Sequence, residues 1–222
     1  FNLAEQYRTP VILLLDEILG HVNEKVVLPE PGGVTLVNRT LPQDPPERYL
    51  PYRHTEDGVP PMVSFGRGYR YHVTGLAHDE SGFPTNRASE IEKLLDRLHR
   101  KIEQNRDHIV EVDAFEMEDA EIGLISFGSS ARASRHAVRL AREAGKKAGL
   151  LRIKTLWPFP DQEIRAYGDR VKKWIVAEMN RGQLAHEVEW ALCGRAPVHR
   201  ITVYNGDPIS PLTILDKINQ LD

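Results

Sequence analysis

Ile122-Gly123-Leu124-Ile125-Ser126-Phe127-Gly128-Ser129-Ser130, running into Ala131 to Ala144 with Gly145 behind it, decides the fold class of this chain. Ile122 to Phe127 reads as a strand, Gly128 to Ser130 as a turn, and Ala131 to Ala144 as a helix ended by glycine. The unit then repeats. Ala148 to Ile153, Lys173 to Glu178 and Val198 to Tyr204 read as strands, while Asp161 to Tyr167, Gln183 to Cys193 and Pro211 to Leu221 read as helices. Four strand–helix alternations predict a doubly wound α/β domain over residues 121–222.

Upstream the pattern changes. Ile91, Leu94, Leu95, Leu98 and Ile102 recur at helical spacing, so Asn86 to Arg106 reads as one amphipathic helix. Residues 90–120 are expected to be a linker helix followed by an acidic connection. Residues 1–89 are expected to be part of a parallel-sheet half-domain with extended loops. Within it, Val11 to Leu15 is uninterrupted apolar sequence and reads as a strand buried on both faces. Asp16 to His21 would then be the ligand-facing loop at its end. From Pro29 to Pro61 proline excludes helix; the stretch is either a linker or, with Tyr49, Tyr52 and Val63 nearby, a segment packed over a surface. The chain opens inside an amphipathic helix without methionine, which is the expectation for a piece of a longer protein.

Lys plus Arg is 29 against 32 Asp plus Glu, a net charge of −3. Such a balance disfavours nucleic acid as a partner. No apolar run is long enough to span a bilayer. The single cysteine, Cys193, excludes an internal disulfide or a Cys-ligated cluster and fits a cytoplasmic protein; between Leu192 and Gly194 it reads as a buried thiol.

Two loops concentrate chemistry. His72 to Gly82 crowds His72, His78, Asp79 and Glu80 between glycines. The residue types suit metal or proton transfer, yet the spacing matches no metal motif, so no metal is assigned. A self-bonded polar loop and a loop facing a partner or active site both remain open. Thr155-Leu156-Trp157-Pro158-Phe159-Pro160 holds two aromatic rings between prolines, a rigid surface rather than a flexible connection. Gly128-Ser129-Ser130 and Asn180-Arg181-Gly182-Gln183 each precede a helix. Each is either an N-cap or an anion site, Arg181 adding a donor fork for a carboxylate or phosphate. Arg135, Arg139 and Arg142 fall at i, i+4, i+7 and read as a solvated helix face.

Six segments together resemble the α subunit of 2-oxoacid:ferredoxin oxidoreductases, most closely the 2-oxoglutarate type. They are Phe1 to Val11, Asp16 to His21, His72 to Gly82, Thr155 to Pro160, Glu178 to Leu184 and Asn205 to Ile209. The resemblance spans nearly the whole chain. It implies the C-terminal part of a pyrimidine-binding-type thiamin domain, then a transketolase C-terminal-like domain. It also implies oxidative decarboxylation of a 2-oxoacid on thiamin diphosphate, with acyl-CoA formed and electrons passed through iron–sulfur clusters to ferredoxin. The cofactors would sit mainly on partner subunits, a thiamin-binding β subunit and further γ and δ subunits, in a hetero-oligomer. The family's catalytic acid and substrate residues would precede Phe1, so no catalytic or cofactor-binding residue carries onto this sequence, and the piece alone would be inactive. Asp16, His21, His72, His78, Asp79, Trp157, Asn180 and Arg181 are expected on active-site or interface loops. The competing reading is a non-catalytic α/β assembly module; a transketolase or pyruvate dehydrogenase relative would lack the His72 to Gly82 loop.

Overall fold

The computed structural model describes residues 1–221 and divides into two units. The first comprises Phe1–Leu13 and Lys25–Ile109, the second Leu14–Glu24 and Val110–Asp222.

Helices α1 (Asn2–Tyr7), α2 (Ala88–Glu103) and α3 (Arg106–Ile109) are the α-helices of the first unit. Everything between α1 and α2 is loop, apart from the short 3-10 turns Glu17–His21, which belongs to the second unit, and Pro46–Arg48. No strand forms there; His78 and Pro84 make one isolated bridge. The proline-rich stretch is packed rather than a free linker. Tyr49 is buried with its ring edge-on to Tyr69 and Tyr71, at 5.2 and 5.7 Å. Prolines lack N–H groups and break regular pairing, so this unit's carbonyls must find donors elsewhere. Side chains supply them. The Tyr49 hydroxyl donates to the Pro61 carbonyl (3.1 Å) and the Tyr71 hydroxyl to that of Val63 (2.6 Å). Arg97 donates to Gly58 (3.0 Å), Lys101 to Arg8 (3.0 Å), and Arg8 to Pro51 (2.5 Å).

Val11 to Leu15 forms no strand, contrary to its apolar sequence: these five residues are 48% to 81% exposed. A strand exists only by pairing, and no described strand lies beside this segment to complete its ladder.

The second unit follows the alternation closely. Strands β1 (Val112–Phe115), β2 (Ile122–Ser126), β3 (Ala148–Ile153), β4 (Lys173–Glu178) and β5 (Val198–Thr202) alternate with α4 (Gly128–Glu143), α5 (Asp161–Arg165), α6 (Gln183–Leu192) and α7 (Pro211–Leu221). The sheet order is β1-β3-β2-β4-β5, all parallel except the β1 edge. That edge strand lies in the stretch read as an acidic connection. Its charged Asp113 pairs in register with Arg152 of β3, a compensation that no local pattern reveals.

Consecutive strand residues point to opposite faces, which is why the strands read as continuous apolar runs. Ile125, Leu151 and Val176 pack with Ile164 of α5 and Leu184 and Val188 of α6. Leu124, Leu150 and Ile175 pack with Val138 of α4 and Ile214 and Ile218 of α7. Burying each such side chain contributes about 1.5–3 kcal/mol. Gly123 is required by close approach: a Cβ there would collide with the fully buried ring of Trp174.

Candidate functional site

In the second unit, β3 lies on one side of β2 and β4 on the other, so the strand order reverses between β2 and β4. Parallel sheets open a crevice at the carboxyl ends of such a pair. The loops after β2, β3, β4 and β5 all emerge at that edge. Ser129, Trp157, Asn180, Arg181 and Tyr204 lie on these loops or just after them, with Asp16 against Ser129 and Arg181 against Tyr204.

Gly128 to Ser130 is the first turn of α4 rather than a turn before it, and no Ser caps the helix; Phe127 holds the N-cap position without a side-chain bond. The cap comes from far away in sequence. The Ser129 N–H donates to the Asp16 carboxylate at 2.5 Å. Gly128 has φ +57°, and any side chain on it would strike that carboxylate. Glu24 adds an ion pair to Arg132 at 2.8 Å. Asp16 therefore places a negative charge where the helix dipole favours one. His21 lies on the same segment, exposed, its ring 2.7 Å from the Glu17 carboxylate.

The α6 N-terminus is filled the same way. Glu178, fully buried, accepts from the Leu184 and Ala185 N–H groups at 2.7 and 3.0 Å. The Asn180 side-chain oxygen accepts from Gly182 (2.8 Å) and Gln183 (3.1 Å). The N-cap position itself is Gly182, without a side-chain bond, and Asn180 accepts from its place two residues before it, so these backbone donors are occupied by the chain itself. Sequence reasoning passed over Glu178. Its signal was present, an acidic residue ending an apolar strand just before a helix. Arg181 is left exposed, its guanidinium 5.2 Å from the Tyr204 ring and without an ion pair among the described residues. Trp157 and Phe159 divide their roles: Trp157 is 70% exposed, while Phe159 packs on the core beneath α5 and α6.

Two further expectations fail here. Cys193 is exposed, in left-handed conformation (φ 49°) at the end of α6, because the helix stops one residue earlier and turns it outward. Arg135 and Arg139 lie over the Phe115 ring at 4.3 and 5.8 Å, and Arg142 pairs with Asp119 at 2.7 Å. The face is not simply solvated, since the β1–β2 connection folds back against it.

The His72 to Gly82 loop belongs to the first unit, and its residues do not converge on one centre. His78 is buried, stacked 4.8 Å from the Tyr52 ring, with Nε2 2.8 Å from the Thr74 hydroxyl. His72 is exposed against Phe83. Asp79 accepts from the Ser81 hydroxyl and N–H and from the Phe83 N–H, at 2.5, 3.0 and 3.3 Å. The Ser81 hydroxyl bond is the chief cause holding the Asp79 carboxyl below its usual range. Glu80 accepts from the His54 N–H at 2.7 Å. Among the described residues no group of three His, Cys, Asp or Glu side chains could hold a metal ion. No described helix is long and apolar enough to cross a membrane.

Comparison with known proteins agrees along the whole chain. Residues 1–97 match the family model "Pyruvate flavodoxin/ferredoxin oxidoreductase, thiamine diP-bdg", and residues 120–214 match "Pyruvate:ferredoxin oxidoreductase core domain II". The chain is 45% identical to 2-oxoglutarate synthase subunit KorA of Methanothermobacter thermautotrophicus, over 100% of this chain and 59% of the relative. Against the subunit of that name from Methanocaldococcus jannaschii the identity is 41%, over 88% of this chain and 51% of the relative. The chain thus spans little more than half the length of these relatives. The structure superposes with a TM-score of 0.90 on 2-oxoglutarate:ferredoxin oxidoreductase from Magnetococcus marinus, solved with 2-oxoglutarate, coenzyme A and succinyl-CoA. That match has 30% identity and covers 99% of this chain and 38% of that one.

Proposed function

The chain belongs to the 2-oxoacid:ferredoxin oxidoreductase family, and from that premise we propose that it is part of the α subunit of a 2-oxoglutarate:ferredoxin oxidoreductase. The proposed reaction is thiamin diphosphate-dependent oxidative decarboxylation of 2-oxoglutarate to the acyl-CoA, with electrons delivered to ferredoxin in the cytoplasm. The observation that carries the substrate is the 45% identity to a 2-oxoglutarate synthase subunit, sustained over the whole chain. Ketoisovalerate oxidoreductase subunit VorB of the same organism is 28% identical over an equal span.

The described residues do not themselves fit the family's cofactors. One exposed cysteine cannot hold an iron–sulfur cluster, which takes about four thiolates. The α4 and α6 N-termini that could receive a pyrophosphate carry Asp16 and Glu178 instead. In this reading thiamin diphosphate and the clusters are held elsewhere in the complex, principally by a thiamin-binding partner subunit. This chain contributes surfaces: the His72, His78 and Asp79 loop, and the edge bearing Asp16, His21, Trp157, Asn180 and Arg181. Arg181 has the free donor fork suited to a carboxylate of substrate or partner.

The filled helix ends also favour a second reading, in which the chain is an assembly module without substrate contact. One experiment separates the two. The complete subunit is purified with its partners and assayed for CoA-dependent ferredoxin reduction with 2-oxoglutarate, 2-oxoisovalerate and pyruvate. Arg181→Ala and Trp157→Ala should lower turnover in an otherwise intact complex. Preference for another 2-oxoacid would sink the substrate assignment. Unchanged turnover in both variants would leave the assembly module.

A further inference from the structure

On the face of the second unit covered by α4, a cavity of about 50 Å³ opens beside the β1 edge of the sheet. Its floor is apolar, formed by Leu150 and Ala131 with Phe115 alongside, and its walls carry Arg132, Arg135 and Arg152 with Asp113. Residues of three elements thus line one hole: β1, β3 and α4. In a chain of net charge −3 this concentration of positive charge is local.

The arginines are held in place, and Arg135 keeps its charge without a carboxylate partner among the described residues. Arg135 lies over the Phe115 ring at 4.3 Å, with Arg139 behind it at 5.8 Å, and neither pairs with a carboxylate among the described residues. Stacking fixes the guanidinium plane and leaves its N–H edges available. Arg152 is 4.0 Å from the Asp113 carboxylate, at the limit of an ion pair. Arg132 is anchored by Glu24 through one terminal nitrogen at 2.8 Å. Two carboxylates therefore face the three lining arginines, and the charge of Arg135 is left over.

We propose that this cavity is a binding site for a phosphate group. A planar carboxylate is satisfied by one or two forks, whereas a tetrahedral dianion can use donors converging from three directions. The volume has room for a few water-sized groups, matching the oxygens of one phosphate and excluding a nucleoside. The ligand is either inorganic phosphate or the terminal phosphate of an ester whose remainder lies outside the cavity. The site adjoins the loops after β2 and β3, and the proposal does not depend on the oxidoreductase reading.

The test is calorimetric and NMR titration of the full chain with inorganic phosphate, and separately with phenyl phosphate, with chloride holding ionic strength constant. Saturable binding is expected, with the Arg135 and Arg152 Nε–H signals shifting. Tighter binding of phenyl phosphate would identify an ester as the ligand, and tighter inorganic phosphate the free ion. Arg135→Gln with Arg152→Gln should weaken binding by about a hundredfold, roughly tenfold for each charged hydrogen bond lost. Asp113→Asn removes the nearest negative charge and should strengthen binding severalfold, so the proposal stays testable if the double variant does not fold. A non-saturating response, or saturable binding that Asp113→Asn leaves unchanged or weakens, overturns it.

Discussion

The two units solve the same burial problem with different materials. The second stacks Leu, Ile, Val and Ala from parallel strands against helices on both faces, and its buried polar residues are three serines of β2 and α4 and Glu178 at the end of β4. The first has only Tyr7, Tyr49, Val63 and Ile102 as buried hydrophobic residues, and buries Arg97 and Lys101 at 4% and 3% exposure beside them. Regular elements satisfy their own backbone, so an apolar core can be packed between them. A proline-rich loop cannot, and its carbonyls draw cationic and phenolic side chains inward as donors. Irregular backbone, rather than a ligand, accounts for the buried charge.

Substitution should separate these two modes of cohesion. The largest effect is expected in the apolar unit, where Trp174→Ala empties a site beside Gly123 and should cost about 3–5 kcal/mol in urea unfolding. A loss below about 1 kcal/mol would mean the interior relaxes around the hole and the contrast is overstated. Glu178→Gln removes the buried charge accepting from two α6 amides, and should cost about 1–3 kcal/mol. Hydrogen exchange should quicken at Leu184 and Ala185 before the rest of α6. Asp16→Ala should cost about 1 kcal/mol, the value of a helix cap, with faster exchange at Ser129 and easier proteolysis within Leu14–Glu24.

The smallest change is expected in the first unit. Lys101→Met removes a buried cation that faces Arg8 and Arg97 with no carboxylate, so stability at neutral pH should be unchanged or slightly raised. The pH dependence carries the sign. Burial, reinforced by Arg97 and Arg8, lowers the Lys101 pKa from 10.5 to about 8. Its folded pKa is the lower one, so the cost of the charge is full below pH 8 and is relieved as pH rises toward 10.5. The urea midpoint of the unaltered protein should therefore climb as pH rises from about 8 toward 10.5. In Lys101→Met that climb should disappear; an identical slope in both proteins would show that Lys101 is not the titrating group.

The strand and helix runs of the second unit were legible because burial on two faces imposes a pattern on neighbouring residues. β1 was not. An edge strand of Val112-Asp113-Ala114-Phe115 carries its charge opposite Arg152, and that compensation lies 39 residues away by the register. Val11 to Leu15 misled in the other direction, since apolar character reports a need for partners and not their presence. The role of Asn180 at the start of α6 was readable because its donors lie two and three residues on. Asp16 was readable only as a polar loop residue, because its donor is 113 residues distant.

Sequence by itself determined the α/β alternation, the family and the loops where polar and aromatic residues gather, all of which depend on order along the chain. Tertiary structure alone decided that Asp16 and Glu178 occupy the helix ends, that Arg181 stays free, and that Arg132, Arg135 and Arg152 converge on one cavity. A carboxylate or guanidinium has the same hydrogen-bonding capacity wherever it stands. Which donors and acceptors it meets depends on residues brought close by folding, and local sequence carries no record of them.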